Sequence, residues 1–248
     1  MIQDLHSHTY YSFCGGDTPE QVAEAAIKGG IDVLGITDHN TGVCYCRLDF
    51  YTAPDAQRFG GTAERTLRRY YDHINLIREK YADKIEIKRG IELNTTDDGR
   101  NPLPDSADIS YYDYCLVECL DSDCTVTRGD IFSYAKRCGT PLVGIAHTDL
   151  FRHIRSRGED PYEYFCRMAE ENIFWEMNVS YDSIHNYRVH GYMLDFFADE
   201  EKQDIVRRSG ALVSIGFDGH RVGDYLPDRI REYNEKLHAL GIKRPFEK

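Results

Sequence analysis

The sequence predicts an α/β protein with a parallel, barrel-like sheet wrapped by helices, and three observations carry that expectation. Short β-rich apolar runs alternate with longer segments of helical periodicity, and no linker, repeat or low-complexity tract divides the series. Nearly every run also ends on an imidazole or a carboxylate, and in repeated βα units the strand C-termini share the face on which active sites are built.

The elements follow in order. The first strand leads into "DLHSHTYYS", where His6 and His8 are two residues apart and so point to one face. "TPEQVAEAAIKGG" reads as a helix, with Thr18 as N-cap, Pro19 at its first position and glycines at its end. The strand "VLGIT" (Val33 to Thr37) delivers Asp38 and His39. A longer helix, "ERTLRRYYDHINLIREKY", places Leu67, Tyr70, Tyr71, Ile74 and Ile77 on one stripe. "EIKRGIEL" (Glu86 to Leu93) brings Glu92, and "YCLVECL" (Tyr114 to Leu120) brings Glu118. The helix "RGDIFSYAKRCG" precedes "LVGIAH" (Leu142 to His147), which ends on His147. After the helix "DPYEYFCRMAEEN", "IFWEMN" (Ile173 to Asn178) carries Glu176 and Asn178. The helix "DEEKQDIVRRSG" then leads to "LVSIGF" (Leu212 to Phe217), followed by Asp218 and His220.

A chain of 248 residues can bury a large core. A net charge of −12 and a pI near 5.3 argue against a nucleic-acid backbone or an anionic membrane as main partner. An anionic substrate is still compatible, because bound cations reverse the field inside a cleft. No window approaches the roughly 18 uninterrupted apolar residues of a membrane span. The N-terminus shows no basic region followed by an apolar stretch, so the chain reads as cytoplasmic. Its eight cysteines form no compact disulfide framework and read as reduced thiols. Cys44 and Cys46 in "CYCRL" have no second pair at zinc-finger spacing and read as loop residues.

Each polar feature has a structural alternative when taken alone. Asp38 could cap the next segment, Glu92 or Glu118 could pair with an arginine, and "FDGH" could be a turn. Taken together, that alternative would gather carboxylates and imidazoles at one strand-end face with nothing to offset their desolvation. A cluster of cations removes the cost.

The ordered motifs "DLHSHT", "GITDHN", "GIEL", "GIAHTDLFRH" and "IGFDGH" resemble those of the PHP (polymerase and histidinol phosphatase) family. The resemblance runs from about Asp4 to the last strand. It is closest to histidinol-phosphatase-like members, around "YYDHINLIREKYADKIEIKRGIELN" and "AHTDLFRH". It implies a single PHP domain over residues 1–248, a distorted (β/α)7 TIM-like barrel, and a phosphoesterase site with two or three divalent metals. His6, His8, Glu92 and Asp218 would hold one metal. Glu92 would bridge to a second, held also by His147 and Glu118, and His39 and His220 would hold a third. Histidinol phosphatases usually have a histidine near the position of Glu118, where bacterial PHP-type tyrosine phosphatases use a carboxylate. The family also places a His or Asp shortly after the paired histidines. In "SFCGGD" the nearest such residue is Asp17, the expected further ligand.

Mixed nitrogen and oxygen ligation suits zinc, manganese or iron. Two such cations can deprotonate a bridging water and clamp the phosphoryl oxygens during in-line attack, which makes Glu92, Asp218 and His220 the expected catalytic residues. No Cys-His signature or GxSxG elbow suggests a covalent nucleophile. Arginine adds bidentate phosphate contacts, and Arg221, Arg188 and Arg152 (with Arg155 behind them) stand where substrate-binding side chains belong. The expected activity is hydrolysis of a phosphate monoester of a small metabolite, with histidinol phosphate the first candidate. A protein-tyrosine phosphatase, a phosphodiesterase or nuclease on the same scaffold, and a non-catalytic metal-binding regulator are the alternatives.

Overall fold

The computed structural model describes residues 1–44, 60–97, 102–182 and 190–247. Among the described residues there are eight parallel strands: β1 (Gln3–Asp4), β2 (Val33–Ile36), β3 (Glu86–Arg89), β4 (Glu92–Leu93), β5 (Cys115–Val117), β6 (Val143–Ile145), β7 (Ile173–Asn178) and β8 (Leu212–Gly216). They form two sheets, ordered β1-β2-β3 and β4-β5-β6-β7-β8. The predicted strand "EIKRGIEL" is two strands, split at Gly90 and Ile91. Gly90 donates its N–H to Ile36, while Glu92 donates to Asp38 and β4 pairs with β5. A side chain at Gly90 would meet Tyr114 Cζ at 2.8 Å, so the crossing of the two sheets needs glycine there. Further backbone bonds pass from the first sheet to the β8 end of the second: Leu5 to Ile215 (2.9 Å), Asp218 to His6 (2.8 Å) and His8 to Gly219 (2.8 Å).

All five predicted helices are present: α1 (Pro19–Lys28), α3 (Gly60–Lys80), α4 (Ile131–Cys138), α6 (Pro161–Glu170) and α8 (Glu200–Ser209). In α1 the Thr18 hydroxyl accepts from Gln21 N while Gln21 accepts from Thr18 N, a reciprocal cap that fixes where the helix starts. Among the described residues four helices go beyond that reading: α2 (Asn40–Cys44), α5 (Leu150–Ser156), α7 (Gly191–Ala198) and α9 (Pro227–Ala239). Three of them, α2, α5 and α7, are shorter than a periodicity window resolves.

The strands alternate between two environments. Leu34, Ile36, Cys115, Val117, Val143, Ile145, Trp175, Met177, Val213 and Ile215 join the helices in the large core. Leu5, Val33, Tyr114, Leu116, Ala146 and Phe174 form a second cluster on the opposite face. Each fully buried large side chain, such as Trp175 or Phe165, contributes about 1.5–3 kcal/mol by leaving water. Among the described residues no helix is long and apolar enough to cross a membrane, and the seven described cysteines are free thiols. Cys44 is buried in α2, whereas Cys46 lies outside the described residues.

Candidate metal centre

The face that carries the second apolar cluster turns polar at the strand C-termini. Along β7, Phe174 belongs to that cluster, and Glu176 and Asn178 follow at two-residue intervals on the same side. Along β5 the same step leads from Leu116 to Glu118. One period-2 pattern thus provides an apolar floor and a polar rim.

On this rim three overlapping ligand sets converge: His6, His8 and Asp218; His8, His39 and His220; and His39, Glu92 and Glu118. Glu92 lies at the middle. Its Oε2 is 2.9 Å from His39 Nδ1, 3.3 Å from His6 Nε2 and 3.4 Å from His8 Nε2, while its Oε1 is 3.1 Å from His147 Nε2. Asp218 Oδ1 lies 3.0 Å from His8 Nε2 and 3.5 Å from His6 Nε2. The His6 and His8 Nε2 atoms are 3.1 Å apart, closer than two ring nitrogens sit without a shared proton or cation.

The rings are held from behind. Glu176 Oε1 lies 2.7 Å from His6 Nδ1, and a carboxylate accepts there, so Nδ1 keeps its proton and Nε2 is the atom that turns to the centre, free to bind a cation once its own proton is lost. Ser12 does the same for His8: its hydroxyl donates to Asp38 Oδ1 at 2.7 Å and leaves a lone pair for His8 Nδ1–H at 3.1 Å. Asp38 also accepts from Thr9 N, Thr9 Oγ1 and Ser12 N, so it organises the loop after β1. Asn178 donates to Asp218 Oδ2 at 3.3 Å. Gly216 makes room for this arrangement, since a methyl group there would overlap Glu176 Oε1 and come within 2.7 Å of His6 Cβ.

The charges are interlocked. Burial disfavours a charged imidazole at His6, but the carboxylates of Glu92, Glu176 and Asp218 outweigh it and hold His6 well above its ordinary value. His39 is raised in the same way, chiefly by Glu92. His8, buried and beside the His39 charge, is pulled down to about 3. Burial would raise Glu92 and Asp218, yet His39 and His6 hold Glu92, and His6 and His8 hold Asp218, well below the carboxylate range. His147 and Asp218 also adopt left-handed backbone conformations (φ 27° and 56°), a cost of about 1–3 kcal/mol each that concentrates at functional sites.

The PHP domain family model matches residues 4–241. The chain belongs to the PHP domain family. No curated protein matches it in sequence. A crystal structure of histidinol phosphate phosphatase from Lactococcus lactis, complexed with zinc, L-histidinol and phosphate, superposes with a TM-score of 0.60 at 16% identity, over 98% of this chain and 95% of that one. That likeness is one of fold. Weaker overlap is found with a putative histidinol phosphatase from Listeria monocytogenes (TM-score 0.42, 14% identity, 90% and 96% covered). An amidohydrolase gives a TM-score of 0.43 at 13% identity, with 97% and 70% covered.

PHP membership, together with the ligand cluster, makes the chain a metal-dependent phosphoesterase. The residues fit such an occupant, because the fully buried Glu92 Oε2 has three imidazole nitrogens around it at 2.9, 3.3 and 3.4 Å, a donor set of nitrogen and carboxylate oxygen gathered on one point.

The structure brings together His6, His8, His39, Glu92, Glu118, His147, Asp218 and His220. Asp17 is engaged elsewhere, with Oδ2 accepting Val222 N–H at 2.8 Å. Arg221 is exposed beside His220, its Cγ 3.4 Å from where a Gly16 Cβ would lie. Arg152 pairs with Asp121 at 2.8 Å and is largely exposed, and Arg155 stacks over Phe151. Arg188 lies outside the described residues. Sequence reasoning missed three neighbours. Ser12 supports His8, and buried His190 stacks on His147 at 5.5 Å. Cys14 is the third: His220 and His39 hold its thiol below the ordinary range although burial pushes it up. For Cys14 a signal existed in the two glycines that follow it, since a methyl group at Gly15 would overlap Thr9 O and only glycine lets the loop fold back.

Proposed function

We propose that this chain hydrolyses a phosphate monoester of a small metabolite, histidinol phosphate or a close analogue, at a centre of two or three zinc, manganese or iron ions. The observation that carries this reading is Glu92, whose two carboxylate oxygens face different imidazoles: Oε2 faces His6, His8 and His39, and Oε1 faces His147. A carboxylate so placed suits a bridge between two cations, with Asp218 beside His6 and His8, and Glu118 beside His39.

When bound, the cations supply activated water for in-line attack and offset the charge of the phosphoryl group. The protein's own groups prepare that chemistry. Glu176 and Ser12 fix the tautomers of His6 and His8, and the buried floor beneath keeps bulk water from the ligands. Asp218 and His220 stand at the open side, and Arg221 next to them offers a guanidinium to the phosphate oxygens. The hydrogen bonds that run from β1 to β8 and from Asp38 to Glu92 support reading the two sheets as one distorted (β/α)7 barrel, and the chain as one domain.

Glu118 favours a second reading. Its Oε1 lies 3.6 Å from His39 Nδ1, and a carboxylate in this place also resembles the PHP-type tyrosine phosphatases. Turnover of histidinol phosphate, other phosphorylated metabolites, a phosphotyrosine peptide and a phosphodiester, each with zinc, manganese or ferrous ion added, separates the two. Preference for the metabolites supports the proposal. Preference for the peptide or the diester overturns the substrate class.

A further inference from the structure

The C-terminal end of β7 is tied to the centre on one side and to α9 on the other. Asn178, fully buried, donates from Nδ2 to Asp218 Oδ2 at 3.3 Å, while its Oδ1 accepts the Ser180 N–H at 3.0 Å. A backbone N–H only donates, so the amide oxygen must face Ser180 and the NH2 must face Asp218. The other oxygen of Asp218 lies 3.0 Å from His8 Nε2 and 3.5 Å from His6 Nε2, so the amide sets the plane in which the carboxylate meets the two imidazoles. Just beyond, Arg229 of α9 donates to Val179 O at 3.1 Å, grips both oxygens of Asp182 and stacks over Tyr181 at 4.5 Å. Asp182 is exposed, and such an ion pair alone contributes little. The same guanidinium fork also holds a backbone carbonyl and an aromatic ring, which fixes residues 179–182 against α9.

We propose that Asn178 is a positioning residue for Asp218, and that Arg229 of α9 keeps Asn178 in register. The strut runs from Arg229 through residues 179–182 to the Ser180 N–H, then through the Asn178 amide to the carboxylate. Without that amide the Asp218 carboxylate can turn about its last bond, on a residue whose backbone is already left-handed (φ 56°). The geometry of the cation that His6, His8 and Asp218 would hold therefore depends on a contact made by an outer helix. This inference rests on the metal-centre reading above, and the test separates failure of the one from failure of the other.

The metal-free protein is titrated with cobalt, and the visible ligand-field spectrum of the bound ion is read beside its affinity in competition with a chelator. Asn178→Ala should change the spectrum of one bound cobalt and weaken its affinity about 10–100-fold. Arg229→Ala should give the same spectral change with a smaller loss. Arg229→Lys should recover part of it, since a point charge reaches one acceptor but not the whole fork. The double variant should be no worse than Asn178→Ala, because both residues act along one line. Arg231→Ala is the control: it removes contacts of the same helix to Gly29 O (2.7 Å) and Asp228 (2.6 Å) and should leave spectrum and affinity as in wild type. Equal effects of Arg231→Ala and Arg229→Ala would reduce the strut to general docking of α9 and overturn it. An additive double variant overturns it as well, and so does an unchanged spectrum in Asn178→Ala. Should Asn178→Ala not fold, the partly exposed Arg229 decides the matter, and wild-type spectrum and affinity in Arg229→Ala overturn the strut. A wild-type protein that takes up no cobalt overturns the metal centre and the strut together.

Discussion

Glu176 on β7 holds ligands from two other strands at once. Its Oε1 is 2.7 Å from His6 Nδ1, and its Oε2 accepts the His147 backbone N–H at 2.7 Å. Both partners are donors, so a glutamine here must turn its NH2 toward one of them. Glu176→Gln should therefore lower metal affinity by about 10–100-fold through misorientation of His6 or His147, with little change in folding. Competition against a chelator measures this, and unchanged affinity would show that Glu176 is only a buried spacer.

Gly216→Ala should have a related but less selective effect. The added methyl displaces Glu176 and approaches His6 Cβ, so both metal affinity and stability should fall, the latter by about 1–3 kcal/mol. Denaturant unfolding of the metal-free variant isolates the packing cost. A variant as stable as wild type would mean that the strand gives way freely at this point.

How much of this was legible in the sequence follows from period and position. Strand ends announce His6, His8, Glu92, His147 and Asp218, because in a βα series the residue at the end of an apolar run must meet its counterparts from the other runs. The break at Gly90 was not legible, since the run "EIKRGIEL" has the composition of one strand and the split depends on which neighbour each half pairs with. Ser12 was hidden for another reason. It comes from a loop whose path is set by Asp38, twenty-odd residues away, and no local pattern encodes that contact.

Substrate binding is tested at Arg221. If its guanidinium contacts the phosphate, Arg221→Ala should cost about 1.5–3 kcal/mol, or ten- to a hundredfold in kcat/KM, with metal content unchanged. Lys should rescue only partly, because a point charge cannot reproduce a bidentate fork. Arg152→Ala should have little effect, since that side chain is largely exposed and paired with Asp121. Full efficiency in Arg221→Ala would assign phosphate recognition to the metals and other side chains.

The pH dependence of metal uptake has a definite sign. In the metal-free protein the carboxylates hold His6 and His39 well above their ordinary values, so both are protonated at neutral pH and must lose a proton to bind a cation. Raising the pH removes that competition, so affinity should rise with pH through the raised values and proton release should fall over the same range. Calorimetry in buffers of different ionisation enthalpy counts the protons. Uptake with no proton release at pH 7 would contradict protonation of these two imidazoles in the metal-free protein.

The most direct measurement is the metal stoichiometry of Glu92→Gln beside wild type, by elemental analysis after loading and desalting. The substitution keeps the shape and removes the one charge that faces both sets of imidazoles. Wild type should retain at least two divalent cations per chain, and Glu92→Gln should lose at least one of them together with phosphoesterase turnover, while remaining folded. A metal-replete, active Glu92→Gln protein would contradict a centre bridged by Glu92.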